Sequence, residues 1–125
     1  FFIVYKQLIH NFYNIYTMKT NIIIHNECID TLKSFPNESI DMIFADPPYN
    51  LQLKNSLKRP DNTNVEGVND NWDKFSSFKE YDDFTKKWLQ ECKRVLKKHG
   101  TIWIMGSYHN IFRIGSLLQD LGFGF

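Results

Sequence analysis

The stretch Asp41–Asn50, DMIFADPPYN, decides how the rest of the chain is interpreted. Its first half is an apolar run, which is typical of a strand that is covered on both faces of a parallel sheet. Pro47 and Pro48 must end this strand, because proline lacks the N–H group that a sheet ladder requires. Ligands of α/β sheets bind beyond the carboxyl ends of the strands. The sequence therefore predicts a functional site immediately after Ala45.

Strands and helices alternate on both sides of this stretch. Short apolar or β-branched runs predict the strands, and apolar residues at helical spacing predict the helices. This alternation predicts an α/β fold with parallel strands and flanking helices. The predicted strands are Asn21–His25, Ile40–Ala45 and Thr101–Met105, and the predicted helices are Cys28–Phe35, a long helix that starts at Ser77, and His109–Leu121.

The long helix has the clearest signals. Ser77 and Glu80 form a capping box at its start, and Gly100 is its expected stop. Basic residues crowd its last turns, where they would interact with the negative end of the helix dipole; a DNA-binding patch is the alternative. The basic residues are Lys93, Arg94, Lys97 and Lys98, and the apolar stripe consists of Phe78, Tyr81, Phe84, Trp88, Leu89, Val95 and Leu96.

Composition narrows the class of protein without selecting a function. The chain has 125 residues, of which 42% are hydrophobic and 23% charged, and its formal net charge is +1. These values fit one small domain or a piece of a larger one, and they neither indicate nor exclude nucleic acid binding. Cys28 and Cys92 lack ligand-like spacing, so we expect free thiols in a reducing cytoplasm rather than a zinc site.

Residues 1–17, FFIVYKQLIHNFYNIYT, differ in composition from the rest of the chain. The run is aromatic and apolar, but polar residues interrupt it and it is too short to span a bilayer. Met18 followed by KTNIIIHNEC looks like a natural start. We therefore expect residues 1–17 to be an extension outside the fold, with a short amphipathic helix as the alternative, and residues 18–125 to form the domain.

Polar residues follow each of the three predicted strands, at the edge of the sheet where ligands bind. These three groups are Asn26–Cys28, Asp46–Asn50 and Gly106–Asn110. A polar, irregular stretch from Leu51 to Ser76 follows the middle group. A connection of this length inside a compact domain is usually functional or disordered.

The sequence DPPY at residues 46–49 and its surroundings resemble the β-class adenine-N6 DNA methyltransferases, closest to the branch of cell-cycle-regulated and GANTC-specific enzymes. The likeness covers nearly all of residues 18–125 and is carried by FADPPYNLQL, RPDN, WDKFSSFKEYDDF, RVLKKHGTIW and GSYHNIFRIG. It implies a partial Rossmann-like methyltransferase fold, S-adenosylmethionine as cofactor and double-stranded DNA as substrate. It also implies a cytoplasmic protein without a membrane partner, and homodimers occur among relatives.

The chemistry of adenine explains why such a motif is needed. The lone pair of the N6 amine is delocalised into the ring, so two acceptors aimed at its hydrogens would free it to attack a methyl carbon. Asp46 would supply one acceptor and the Pro47 carbonyl the other, since Pro48 restricts the backbone of Pro47. Tyr49 would stack on the base after it is flipped out of the duplex. The alternative is a motif that merely ends a strand.

The resemblance assigns further residues to cofactor and DNA. Glu27 would accept a hydrogen bond from the adenine of the cofactor, with Cys28 and Asp46 nearby; a simple helix start with Asn26 as its cap is the alternative. For Ser107, His109 and Asn110 after the third predicted strand, the alternative is a cap for the following helix. For Lys54, Lys58 and Arg59, the alternative is a solvated loop without contacts. The residues assigned to the target nucleotide or to phosphates are Asn50, Lys54, Lys58, Arg59, Ser107, His109 and Asn110.

The order of segments in the β class suggests that the chain is the amino-terminal catalytic part of a longer enzyme. In that class a target-recognition region and a Phe-x-Gly-x-Gly cofactor strand follow, and GFGF at the end of this sequence matches neither. We expect this part alone to bind cofactor weakly and to methylate DNA poorly or not at all. Asp46 favours adenine, because relatives acting on cytosine N4 usually have serine there. A cytosine-N4 enzyme, an acceptor amine outside DNA, and an inactive remnant that only binds DNA or a partner are the alternatives.

Overall fold

The computed structural model describes residues 21–51, 60–63 and 73–124 and, for Phe2–Tyr5, the backbone alone. Its elements, in chain order, are β1 Phe2–Tyr5, α1 Cys28–Lys33, β2 Ile40–Ala45, α2 Phe78–Val95, β3 Leu96–Ile104 and α3 Ile111–Asp120. Strands β2 and β3 pair in parallel, and β1 pairs with β2 in the antiparallel direction. The prediction of an α/β fold with a parallel strand pair and flanking helices is confirmed.

Individual elements agree with the sequence pattern to different degrees. Strand β2 has the predicted bounds, and α1 and α3 lie within their predicted ranges. Strand β3 begins directly after α2, so Gly100 lies inside a strand and the prediction that it stops the helix is wrong. A Cβ atom at Gly100 would lie 3.1 Å from the carbonyl oxygen of Asp41. Glycine is therefore needed here because β3 approaches β2 closely, at an irregular point in the register.

The segment Asn21–His25 is not a strand, which corrects the prediction. Its isoleucines are exposed, and Ile23 retains 96% of its accessible surface. The two edges of β2 are occupied by β1 and β3, so this segment finds no place beside β2. The pairing of Phe2–Tyr5 with β2 differs from the expectation that residues 1–17 lie outside the fold.

The core lies between one face of β2 and the buried side of α2. Ile40 and Ile43 of β2 pack against a cluster that includes Trp88 and Leu89, and all four side chains are fully buried. Ala45 of β2 is also fully buried, whereas Met42 and Phe44 are only partly covered, so the expected burial on both faces is confirmed for one face. Phe78 was assigned to the apolar stripe of α2 but is 59% exposed, because the Arg113 guanidinium lies over its ring at 4.6 Å instead of core side chains.

The basic residues at the end of α2 bind the ends of two neighbouring helices. The Lys93 ammonium donates to the carbonyl oxygens of Leu121 and Gly122, at the C-terminus of α3. The Arg94 guanidinium donates to the carbonyl oxygens of Leu32, at 2.8 Å, and Phe35, at 2.9 Å, at the C-terminus of α1. Lys93 therefore supplies a donor to carbonyl groups at the end of α3. Arg94 adds a donor to the Leu32 carbonyl, which also accepts from the N–H of Phe35 at 3.0 Å. The predicted interaction with a helix dipole is thus made with α1 and α3.

Replacing Arg94 with alanine is expected to lower the free energy of unfolding by about 1–3 kcal/mol, because partly buried carbonyl groups lose their donors. Urea denaturation followed by circular dichroism measures this loss. Lys98→Ala is the matched control, since Lys98 is exposed and lies four residues further along the chain. Equal midpoints for the two variants would contradict the role assigned to Arg94.

Candidate active site

The residues after β2 lie beside the residues after β3. The N–H of Met105 donates to the carbonyl oxygen of Ala45 at 2.8 Å, so the two strands end side by side. Beyond this point the Asn110 side-chain amide donates to the carbonyl oxygen of Pro48 at 3.4 Å. The structure therefore brings together two of the three groups that the sequence predicted, Asp46–Asn50 and Gly106–Asn110.

Asp46 is oriented as a hydrogen-bond acceptor at the start of this corner. The Tyr49 hydroxyl donates to Oδ1 of Asp46 at 2.5 Å. This hydrogen bond, followed by burial, raises the pKa of Tyr49 to about 12. Pro47 is buried, and among the residues that the structure describes none donates to its carbonyl oxygen. The corner thus holds a carboxylate that accepts a hydrogen bond from Tyr49, and a rigid main-chain acceptor follows it directly.

The pKa of Tyr49 gives a test of this contact. In the folded chain Tyr49 should ionise near pH 12, whereas an unfolded tyrosine ionises near pH ~10. The neutral hydroxyl is the favoured form, so its contribution to stability is complete below the unfolded pKa and is lost as pH rises through the folded one. We expect the tyrosinate absorbance of an Asp46→Ala variant to contain one additional group that titrates near ~10. An unchanged titration curve would contradict the Asp46–Tyr49 hydrogen bond, and Tyr49→Phe identifies which transition belongs to Tyr49.

Asp73 holds the chain immediately after the DPPY sequence, and the sequence analysis did not identify it. Its two carboxylate oxygens accept hydrogen bonds from the backbone N–H groups of Asn50, at 2.8 Å, and Leu51, at 3.2 Å. Asn50 has φ +53°, in the left-handed region, and its side chain accepts from the N–H of Phe75 at 3.3 Å. Asp73 and Asn50 are both buried. Asn50 therefore has a structural role in this turn, and its contact with DNA stays a prediction.

A second missed residue, Tyr81 of α2, holds the carbonyl group of Pro48. The Tyr81 hydroxyl donates to this oxygen at 3.1 Å and accepts from the Asn110 side-chain amide at 3.0 Å. Burial raises the pKa of Tyr81 above its ordinary value. The sequence pattern places Tyr81 in the apolar stripe of α2. The spacing of that stripe indicates burial of the ring and gives no information about the hydrogen bonds of the hydroxyl group.

The group after β3 serves mainly to shape the turn before α3. Asn110 is the N-cap residue of α3, but its side chain makes no capping hydrogen bond. Instead its Oδ1 accepts from the N–H of Ser107 at 2.8 Å. The His109 ring packs on Tyr108, with ring centroids 3.9 Å apart. The alternative of a helix cap is thus supported for the position of Asn110, while DNA contacts of Ser107, His109 and Asn110 stay predictions.

Glu27 and Cys28 form the start of α1. Glu27, rather than Asn26, is the N-cap residue, and its carboxylate accepts from the N–H of Asp30 at 2.9 Å. Burial alone would raise the pKa of Glu27, but this and other hydrogen bonds outweigh it and lower the pKa. The Cys28 thiol donates to Glu27 at 3.3 Å, and burial followed by this contact raises the pKa of the thiol to about 12. Cys28 is therefore a poor nucleophile, since the thiolate is the reactive form.

An open groove of about 540 Å³ lies beside Glu27. Its apolar wall consists of Ile29, Phe75 and Phe84, and its rim carries charged residues from the first turns of α2. Phe75 connects this groove to the corner, because its N–H binds Asn50. Lys54, Lys58 and Arg59, which were predicted to contact phosphates, lie outside the described residues.

Most of this site lies in a region that is similar to known proteins. The family model described as DNA methylase matches residues 40–125. The chain is 53% identical over 103 residues to the Type II methyltransferase M.HinfI of Haemophilus influenzae, an alignment that covers 82% of this chain and 29% of the relative. It is 41% identical over 108 residues to the Type II methyltransferase M2.DpnII of Streptococcus pneumoniae, which covers 86% of this chain and 40% of the relative.

The matched region contains β2, the DPPY corner, α2, β3 and α3, so the family match and the described site coincide. The chain spans well under half the length of both relatives. A match over more than half of this chain, together with these identities, shows the family. The chain belongs to the DNA methylase family.

Proposed function

We propose that this chain is the catalytic part of a DNA methyltransferase that transfers a methyl group to N6 of adenine in double-stranded DNA. The observation that carries the proposal is the corner after β2. There Asp46 is fixed as an acceptor by the Tyr49 hydroxyl, at 2.5 Å, and the rigid Pro47 carbonyl follows it. Membership of the DNA methylase family supports the same reaction class.

The two acceptors act on the amine that becomes methylated. Asp46 and the Pro47 carbonyl would each accept a hydrogen bond from N6, which localises the lone pair on nitrogen as it attacks. Acceptors that are already fixed cost no reorganisation during the reaction. After the transfer, the additional N6 proton passes to water. Adenine reaches the corner by rotation out of the duplex, and stacking on the Tyr49 ring would return about 1–3 kcal/mol.

S-adenosylmethionine is the proposed methyl donor, and when bound it supplies an electrophilic methyl group on a sulfonium. The groove beside Glu27 would receive the purine of the donor, because it combines an acceptor carboxylate with the apolar wall of Ile29, Phe75 and Phe84. Glu27 would accept from the purine amine, and Cys28 would pack beside it. The corner and the groove share Phe75 as a common neighbour.

The finer assignments are also proposals. The GANTC-specific branch gives the first target sequence to test, and the names of both relatives, which are Type II methyltransferases, support a restriction-modification system. We further propose a cytoplasmic enzyme that forms a homodimer in its complete form. The partial Rossmann-like fold is supported by the parallel β2–β3 pair with flanking helices.

Mass spectrometry of nucleosides tests the reaction. The complete gene is expressed in cells that lack DNA methylation, and the DNA is digested to nucleosides. N6-methyladenine is the expected product, and mapping of the modified positions shows whether they lie in GANTC. Detection of N4-methylcytosine instead would show that cytosine N4, and not adenine N6, accepts the methyl group. The absence of any methylated base, with the protein present and folded, would favour a remnant that only binds DNA or a partner.

A further inference from the structure

We propose that Asp73 and Tyr81 are positioning residues that aim the DPPY corner from outside the motif. This inference rests on the proposed function and adds two residues that contact neither the base nor the cofactor in that proposal. Asp73 lies between the DPPY sequence and α2 along the chain, and Tyr81 lies in the first turn of α2. Their hydrogen bonds reach three of the four residues from Pro48 to Leu51: Tyr81 binds Pro48, and Asp73 binds Asn50 and Leu51.

Asp73 fixes the direction in which the chain leaves the corner. One carboxylate receives two successive backbone N–H groups, at 2.8 and 3.2 Å. This contact supports the left-handed conformation of Asn50, φ +53°, which is unfavourable for a residue other than glycine. The carboxylate is 5% exposed, and these charge-assisted hydrogen bonds compensate for its removal from water. Few side chains could replace it, because two donors need two acceptor oxygens.

Tyr81 fixes the middle of the corner. Its hydroxyl and the Asn110 amide both donate to the Pro48 carbonyl oxygen, at 3.1 and 3.4 Å. The φ angle of Pro48 is fixed by its ring, so ψ of Pro48 is the single backbone torsion left between the held carbonyl and the preceding peptide plane. That plane contains the Pro47 carbonyl, the proposed second acceptor. The Tyr81 hydroxyl therefore controls the aim of an oxygen that it does not contact.

The two neighbouring carbonyl groups have different proposed roles: the Pro48 carbonyl is held in place, and the Pro47 carbonyl accepts from the N6 amine. The Pro48 oxygen is engaged by Tyr81 and Asn110, whereas no described residue donates to the Pro47 oxygen. A displacement of the acceptor by a fraction of an ångström weakens a hydrogen bond in the transition state more than it weakens DNA binding. Loss of the hydrogen bonds from Asp73 or Tyr81 is thus expected to lower kcat with little change in KM.

The test uses Asp73→Asn and Tyr81→Phe in the protein expressed from the complete gene. Phenylalanine keeps the edge contact of the Tyr81 ring with Phe75, at 5.1 Å between centroids, and removes only the hydroxyl group. Asparagine keeps the shape of Asp73 and removes one acceptor oxygen. The control is Asp120→Asn, which makes the same aspartate-to-asparagine exchange at the exposed end of α3, away from the corner and from the groove.

Both test variants are expected to lower kcat for DNA methylation about tenfold, the equivalent of one hydrogen bond in the transition state, with KM for DNA within about twofold of wild type. The control should retain wild-type kcat. Circular dichroism at the assay temperature establishes that each variant is folded. Faster amide hydrogen exchange at Asn50 and Leu51 in Asp73→Asn would support the loss of the two hydrogen bonds to Asp73.

Wild-type kcat in both test variants, with Asp46→Ala inactive, would overturn the inference and leave the proposed function standing. A raised KM with unchanged kcat would also overturn it, because the residues would then act in binding. A wild-type protein that methylates no adenine would overturn the proposed function and this inference together.

Discussion

Replacement of Asp46 by alanine in the complete protein is expected to lower the rate of adenine methylation by about 10²–10³-fold, the usual effect of removing one fixed polar group that stabilises a transition state. The carboxylate is the charged member of the proposed acceptor pair, and water that enters in its place would be neither fixed nor charged. Single-turnover kinetics with radiolabelled methyl donor measure the chemical step directly.

Tyr49→Phe separates chemistry from local structure in this experiment. It removes the same 2.5 Å hydrogen bond as Asp46→Ala but keeps both the carboxylate and an aromatic ring for stacking. We expect a rate about tenfold below wild type, a smaller loss than in Asp46→Ala, because the carboxylate remains but is held less firmly. Asp120→Ala, at the exposed end of α3, controls for a general effect of removing an acidic residue. Equal losses in Asp46→Ala and Tyr49→Phe would show that the hydrogen bond matters and that the carboxylate itself does not.

Trp88→Ala is expected to have the largest effect on stability, about 3–5 kcal/mol, because a large buried side chain is removed and a cavity remains. Trp88 has 0% exposure in the core between β2 and α2. A loss of this size is a large share of the stability of an ordinary domain, so a substantial unfolded population is expected. Urea denaturation measures the loss where the variant folds, and the soluble fraction after expression measures it where folding fails.

Trp103→Ala is the matched control for this prediction. It removes the same side chain from β3, where Trp103 is 63% exposed, and we expect a loss of about 1 kcal/mol or less. The comparison cancels the effect of residue type and leaves burial as the difference. Similar losses in the two variants would contradict the position of the core described above.

Local signals in the sequence predicted the elements that depend on neighbouring residues. Strand β2 and the corner after it were predicted with correct bounds, because an apolar run followed by two prolines specifies its own end. The Ser77 cap also formed at its predicted place, with its side chain accepting from the N–H of Glu80 at 3.1 Å. The second half of the predicted capping box differs, because the Glu80 carboxylate accepts from the N–H of Ser76 instead of Ser77. The pattern of the segment at Asn21–His25 is equally typical of a strand, yet a strand also requires a partner strand to pair with, and the local sequence does not specify one.

The residues that hold the site were beyond reach of local patterns for a related reason. Asp73 binds residues 22 and 23 positions earlier in the chain, and Tyr81 binds a carbonyl 33 positions earlier. Neither spacing is periodic, and an aspartate in a polar stretch or a tyrosine in an apolar stripe has a common local explanation. The DPPY motif led to the proposed chemistry, whereas the three-dimensional arrangement is needed to show which side chains hold the motif in place.

The hydrogen bonds of Asp73 to Asn50 and Leu51 join the two stems of the segment that runs between them in sequence. Because its ends are tied together, insertions or deletions in this segment should be absorbed without moving the acceptors at Asp46 and Pro47. Doubling the length of a closed segment costs only about 0.6 kcal/mol. The length of this segment could therefore change, in evolution or by engineering, while Asp46 and Pro47 keep their positions.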